Sequence, residues 1–111
     1  MVMNEIRLAY ITFSEKDIAR SLGKTLISER LVACVNIIDG MESMYRWKGK
    51  VESDEEIIMI AKTTKEYIEA MTHRVKELHP YECPCVLVFS PNNDEGNPDY
   101  LQWLVDETGA E

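Results

Sequence analysis

Seven consecutive residues, His79-Pro80-Tyr81-Glu82-Cys83-Pro84-Cys85, put an imidazole, a phenol, a carboxylate and two thiols on one short segment. Pro80 and Pro84 hold φ at about −65° and push His79 and Cys83 out of the α region. The segment is therefore stiff, and ligand-type side chains on a stiff junction are a common form of binding site. The competing reading is a helix stop followed by a buried strand, in which free cysteine acts as a small hydrophobe.

His79, Glu82 and Cys34 carry the donor types of a metal site, but a tight site needs three or four converging ligands. His79 alone does not supply them, so a hydrogen-bonded pocket or interface role stands beside the ligand role. Tyr81 and Glu82 either complete a pocket with His79 or satisfy the helix end and a neighbouring chain. Lys62, at a strand end beside a helix start, is an anion contact or a solvated charge. Tyr45 and Trp47 are candidate walls of an inter-subunit pocket. Cys34 lies in an apolar strand, where an inert buried thiol is the plain alternative. The run Glu52-Ser53-Asp54-Glu55-Glu56 reads as the solvated base of a hairpin, since it lacks the spaced oxygen ligands and glycine of a calcium loop.

The elements that must position these residues follow from periodicity. Ile6 to Phe13 is apolar on both faces, which predicts a central strand. Ser14-Glu15-Lys16-Asp17 is a capping-box pattern opening a helix to about Arg30, with Ile18, Leu22 and Leu26 on one face. Gly23 inside it weakens the helix unless something packs closely there. Leu31 to Ile38 is a second strand. It is interrupted by a turn or bulge at Asp39-Gly40 and resumed over Met41 to Trp47. Lys48-Gly49-Lys50 predicts a tight hairpin turn. The polar stretch Val51 to Glu56 leads to a third strand over Ile57–Lys62. Thr63-Thr64-Lys65-Glu66 repeats the capping signature, and the next helix, carrying Ile68, Met71, Val75 and Leu78, stops at His79-Pro80. A fourth strand spans Cys85–Ser90. Asn97-Pro98-Asp99 is an N-cap with proline at the first helical position, starting a last helix.

The order βαββαβ plus a terminal helix predicts an α+β, ferredoxin-like sandwich with a long hairpin between the second and third strands. Residues 1–111 read as a single domain, without repeats or linkers. The hairpin's distal part carries Met41, Met44, Tyr45 and Trp47, more apolar surface than two helices can cover, which predicts self-association.

A formal net charge of −8, from 12 Lys+Arg against 20 Asp+Glu, opposes nucleic acid and anionic lipid as partners. The fold type also serves RNA recognition, but the stacking aromatics beside basic residues are missing. No apolar run reaches membrane-spanning length, and no leader features are expected at Met1 to Arg7. The three cysteines cannot all pair within one chain, and reduced thiols in the cytoplasm are expected.

With that order in hand, the chain resembles the CutA family of divalent-cation tolerance proteins over nearly its whole length. The resemblance rests on Glu29-Arg30-Leu31-Val32-Ala33-Cys34-Val35-Asn36, Tyr45-Arg46-Trp47-Lys48-Gly49-Lys50, Lys62-Thr63, Leu78-His79-Pro80-Tyr81-Glu82-Cys83-Pro84 and Asn97-Pro98-Asp99-Tyr100-Leu101-Gln102-Trp103-Leu104. It implies a homotrimer similar in architecture to the PII signalling proteins, and a role in tolerance to copper and other divalent cations. Copper-linked relatives carry a cysteine at the end of the first strand and a His-His pair before Pro-Tyr. Here Ile11 and Leu78 stand at two of those three positions, and only His79 remains of the soft donors. A binding protein is therefore expected rather than an enzyme, with copper or another divalent cation, or a small ligand, at clefts between subunits. The alternatives are a signalling or scaffold trimer without a metal site, and a small enzyme using Cys34 or His79. A nucleophile needs a paired base and an orienting group, and no such set is recognisable.

Overall fold

A computed structural model describes residues 5–109; the first four residues, part of the stretch read for leader features, lie outside that range. The elements run β1 (Ile6–Phe13), α1 (Lys16–Ser28), β2 (Cys34–Trp47), β3 (Lys50–Thr64), α2 (Ile68–Leu78), β4 (Val86–Phe89) and α3 (Pro98–Asp106), with a 3₁₀ turn at Lys65–Tyr67 leading into α2. The sheet order is β2-β3-β1-β4 and every neighbouring pair is antiparallel. β1 and β2 thus run parallel with β3 between them, the split-βαβ arrangement expected from the sequence.

Strand alternation divides the side chains between two faces. Ala9, Ile11 and Phe13 of β1 and Ile57, Met59 and Ala61 of β3 are buried beneath α1 and α2. Their neighbours Leu8, Tyr10, Ile58 and Ile60 point to the opposite face, where, among the described residues, only α3 packs. Its Leu104 meets Ile6 and Ala33, with Cys34 beside them. Gly23 of α1 is explained by side chains rather than backbone: a Cβ there would lie 3.0 Å from Val35 Cγ2 and 3.1 Å from Met59 Cε.

The hairpin is longer and more continuous than its polarity suggests. β3 runs unbroken through the acidic stretch, pairing Met41 with Glu56 and Trp47 with Lys50. The break at Asp39-Gly40 is a bulge that shifts the register between Ile38 and Met41, with Gly40 at φ 79°. Lys48 and Gly49, at φ 50° and 80°, form the two-residue turn whose twist matches that of the strands. The arm stretches the molecule to 50 × 26 × 22 Å.

Three local expectations are corrected. Neither capping box forms, since Glu15 and Thr64 are the N-caps and neither side chain bonds the helix start. Thr63 instead turns inward and donates to the Leu31 carbonyl at 2.7 Å. β4 is shorter than Cys85–Ser90. β2 starts at Cys34 rather than Leu31, because residues 30–31 close α1 in a Schellman motif. Arg30 N–H donates to Ile27 and Leu31 N–H to Leu26, both at 3.0 Å. Arg30 sits at φ 59°, where glycine is usual. Its guanidinium offsets that strain by bonding the carbonyls of Gly109 and of Asp106 (2.8 Å), while Gly109 N–H returns a bond to the Arg30 carbonyl at 2.7 Å. One side chain thereby closes α1 and fastens the end of α3.

Both Arg30→Gly and Arg30→Ala lose the guanidinium bonds, but only alanine keeps the left-handed strain. Urea denaturation is expected to rank the glycine variant above alanine by about 1 kcal/mol, with both below wild type. Equal stability of the two would show that the backbone conformation at residue 30 costs nothing.

Candidate functional site

The site begins where α2 ends. Pro80 disfavours helical backbone at His79, which is extended (φ −77°, ψ 135°) with its N–H still bonded to Val75. The turn carries the imidazole inward, where it is 6% exposed. It stacks on Phe13 with ring centroids 4.6 Å apart, and Tyr81 leans on it at the same distance. Nδ1 accepts the Tyr81 N–H at 3.1 Å, which assigns the proton to Nε2, and Nε2 donates to the Thr12 carbonyl at 2.8 Å. His79 therefore ties the end of β1, the end of α2 and the following loop together. Neither ring nitrogen is open to a metal in this arrangement. Loss of the ring would leave two groups unpaired, at about 1–3 kcal/mol apiece if they stay dry.

In front of this wall lies a cavity of about 670 Å³, lined by Thr12, Tyr45, Trp47, Asp54, Glu56, Tyr81, Glu82, Cys83 and Cys85. Three segments build it: the end of β1, one face of the hairpin arm, and the loop fixed by His79. Tyr81 donates its hydroxyl to Glu56 at 2.9 Å, joining loop to arm, and Tyr45 donates to Asp54 within the arm. The Asp54 bond, reinforced by nearby carboxylates, pushes the Tyr45 phenol up to about 12. Burial and then the Glu56 bond raise Tyr81 as well. Burial also raises the Cys85 thiol, against a hydrogen bond from Thr12 that lowers it.

Of the candidates drawn from the sequence, the fold gathers Tyr45, Trp47, Tyr81 and Glu82 into this cavity. His79 stands behind its wall. Lys62 and Cys34 lie outside it, paired with one another across β2 and β3. Lys62 also faces Leu8, four residues along β1 from Thr12, which is roughly 13 Å at strand spacing. There it donates to the Tyr100 hydroxyl at 3.1 Å and sits over that ring. Cys34 packs half-buried near Leu104. Among the described residues, no three His, Cys, Asp or Glu side chains are placed to hold a metal. The expected trio His79, Glu82 and Cys34 is thus split between a buried ring, the cavity rim and the underside of α3. Cys83 and Cys85, the two thiols of the stiff segment, join the site, as do Thr12, Asp54 and Glu56, which had not been singled out for it. Asp54 and Glu56 alternate along β3 opposite Ser43 and Met41, in the same period-two series as Tyr45 and Trp47 on β2, a signal that marks one shared face.

The raised phenols set a pH test. A folded-state value above the ordinary 10 of tyrosine favours the neutral form, so the hydroxyl–carboxylate bonds contribute stability fully below about pH 10. That contribution is lost as pH climbs towards about 12. Phenolate absorbance should show a late-titrating tyrosine that Tyr45→Phe removes, with a shallower alkaline loss of stability in the variant. Titration of Tyr45 at its ordinary value would overturn the bond to Asp54.

Comparison with known proteins accords with this architecture. Residues 7–107 match the family described as CutA1 divalent ion tolerance protein. The divalent-cation tolerance protein CutA of Thermus thermophilus is 43% identical over 107 residues, covering 96% of this chain and 100% of that one. The crystal structure of CutA1 from Oryza sativa superposes with a TM-score of 0.92 at 38% identity, covering 97% of each chain. The CutA structure from Archaeoglobus fulgidus, with a TM-score of 0.86 at 31% identity over 92% of this chain and 97% of that one, is described as periplasmic. A rice relative, 41% identical over 91% of this chain and 56% of its own length, is described as chloroplastic. These overturn the cytoplasmic expectation. Unpaired Cys34, Cys83 and Cys85 reflect geometry and carry no address. The match over nearly the full length, with one fold and one element order, places this chain in the CutA1 family of divalent ion tolerance proteins.

Proposed function

We propose that the chain works as a homotrimeric binding protein, similar in architecture to PII proteins, which holds a divalent cation or a small ligand in the cavity at the root of the hairpin. The cavity carries the reading: rigid, largely preformed concavities with a few convergent polar groups are the usual form of a ligand site. It opens beside a sheet face that, among the described residues, α3 covers at one end. Leu87 and Phe89 are 56% and 54% exposed on the edge strand, and Met44 and Trp47 are 69% and 59% exposed on the arm. Exposed apolar surface of this kind, with unpaired strand edges, favours association with further copies. A neighbouring chain would then form the cavity's open side.

The divalent-cation class comes from the family to which the chain belongs. In this reading a cation takes ligands from two subunits, with Glu82 and the thiols of Cys83 and Cys85 as one chain's share. Copper binding is correspondingly weak. Binding is favoured over catalysis because His79 spends both ring nitrogens on structure and Cys34 is remote from it. The acidic charge supports the exclusion of nucleic acid and anionic membrane as partners.

Light scattering is expected to give three times the 12.8 kDa protomer mass, and Trp47→Ala to shift the equilibrium towards smaller species. A 12.8 kDa particle in dilute buffer would sink the trimer. Calorimetric titration with copper(II) is expected to return about micromolar affinity or weaker. A nanomolar constant would reveal a fully built metal centre and refute the shared, incomplete one argued here.

A further inference from the structure

The cavity's lining is one-sided in charge, and its acids and phenols are one-sided in hydrogen-bonding sense. Its charged side chains, Asp54, Glu56 and Glu82, are all acids, and neither lysine nor arginine lines it. Tyr45 and Tyr81 each have one hydroxyl proton, and both protons are committed to carboxylates of the same wall. Their raised phenols keep those protons in place at neutral pH. What the side chains Tyr45, Tyr81, Asp54, Glu56 and Glu82 offer a guest is therefore lone pairs, since ionised carboxylates only accept and the two hydroxyls have no proton to spare. The remaining surface is the rings of Tyr45, Trp47 and Tyr81, together with Thr12 and the thiols of Cys83 and Cys85.

From this we infer that the cavity selects a protonated alkyl amine, its ammonium among the carboxylates and its methylenes against the rings. The inference rests on the reading above that the cavity holds a ligand, and it names the class. An anion meets the repulsion of three carboxylates, against which the Trp47 indole N–H, the Thr12 hydroxyl and two weak thiol donors offer no positive charge. A neutral polyol meets acceptors but gains nothing from the ring faces, which attract cations. A bare divalent ion seeks several converging oxygen ligands, and no three-ligand set is placed for it among the described residues. An ammonium supplies donors and positive charge together, and a volume of about 670 Å³ admits an aliphatic chain behind it.

Three probes of equal chain length separate these cases by calorimetry and tryptophan fluorescence: putrescine, 1,4-butanediol and succinate. Putrescine is expected to bind at least about tenfold more tightly than the diol, with succinate giving no heat. Glu82→Gln and Glu56→Gln should each weaken putrescine by about fivefold. Glu66→Gln removes the same charge from the exposed 3₁₀ turn and should change it by less than about twofold, which separates the cavity from the overall acidity of the chain. Equal binding of the diol, competition by succinate, or an equal effect of Glu66→Gln would overturn the amine class. If succinate or the diol binds and Trp47→Ala abolishes it, the amine class falls while the cavity stands as a ligand site. Silence from all three probes up to roughly 10 mM also rejects the amine, leaving the binding reading to the mass and copper measurements.

Discussion

Two helices can cover only one face of a four-stranded sheet, and most of what is distinctive in this protein follows from that constraint. α1 and α2 bury the face built by Ala9, Ile11, Phe13, Met59 and Ala61. The opposite face has α3 at its Ile6–Ala33 end and no second layer elsewhere among the described residues. Strands rich in apolar residues on both sides then leave side chains such as Leu87 and Phe89 facing outward. The long hairpin extends that half-dressed sheet well beyond its helices. Its aromatics lie where a two-layer domain has nothing to pack on them, which leaves them available to a ligand or another chain.

Within that frame His79 decides where the cavity lies. A helix ending in His-Pro would otherwise release its loop into solvent. The buried imidazole bonds the last turn of β1 through Thr12 and the loop through Tyr81, so that Tyr81, Glu82, Cys83 and Cys85 are carried against the root of the arm. The Tyr81–Glu56 bond completes the closure from the other side. The histidine acts as a positioning residue, and the chemistry presented to a guest belongs to its neighbours.

Much of this was legible in the residues. A run apolar on both faces located β1, the glycines at 40 and 49 located the bulge and the turn, and Asn97-Pro98 located the start of α3, where Asn97 accepts the Asp99 N–H at 3.0 Å. What stayed hidden depends on partners far along the chain. The acceptor for His79 is a backbone carbonyl, which every residue has, so no side-chain pattern announces it. The left-handed Arg30 is stabilised by carbonyls near the other end of the sequence, where a glycine would have signalled the turn by itself. Ser14 and Thr63 carry capping signatures that local context did not use, because Thr63 found a buried carbonyl instead. The acidic run read as the solvated base of a hairpin and not as a cavity wall, because its charge masked its period of two.

The hairpin register also orders events in time. β2 and β3 meet across a turn of only Lys48 and Gly49, so their ladder can zip from the tip without closing a long loop. β1 pairs with β3 from Ile6 opposite Thr64 to Phe13 opposite Ile57, and β4 can dock only on β1. The centre of the sheet therefore waits on chain that lies far downstream of β1, and its closure bears the larger entropic cost. By loop-closure arithmetic, the projecting arm zips up earlier than the domain it projects from.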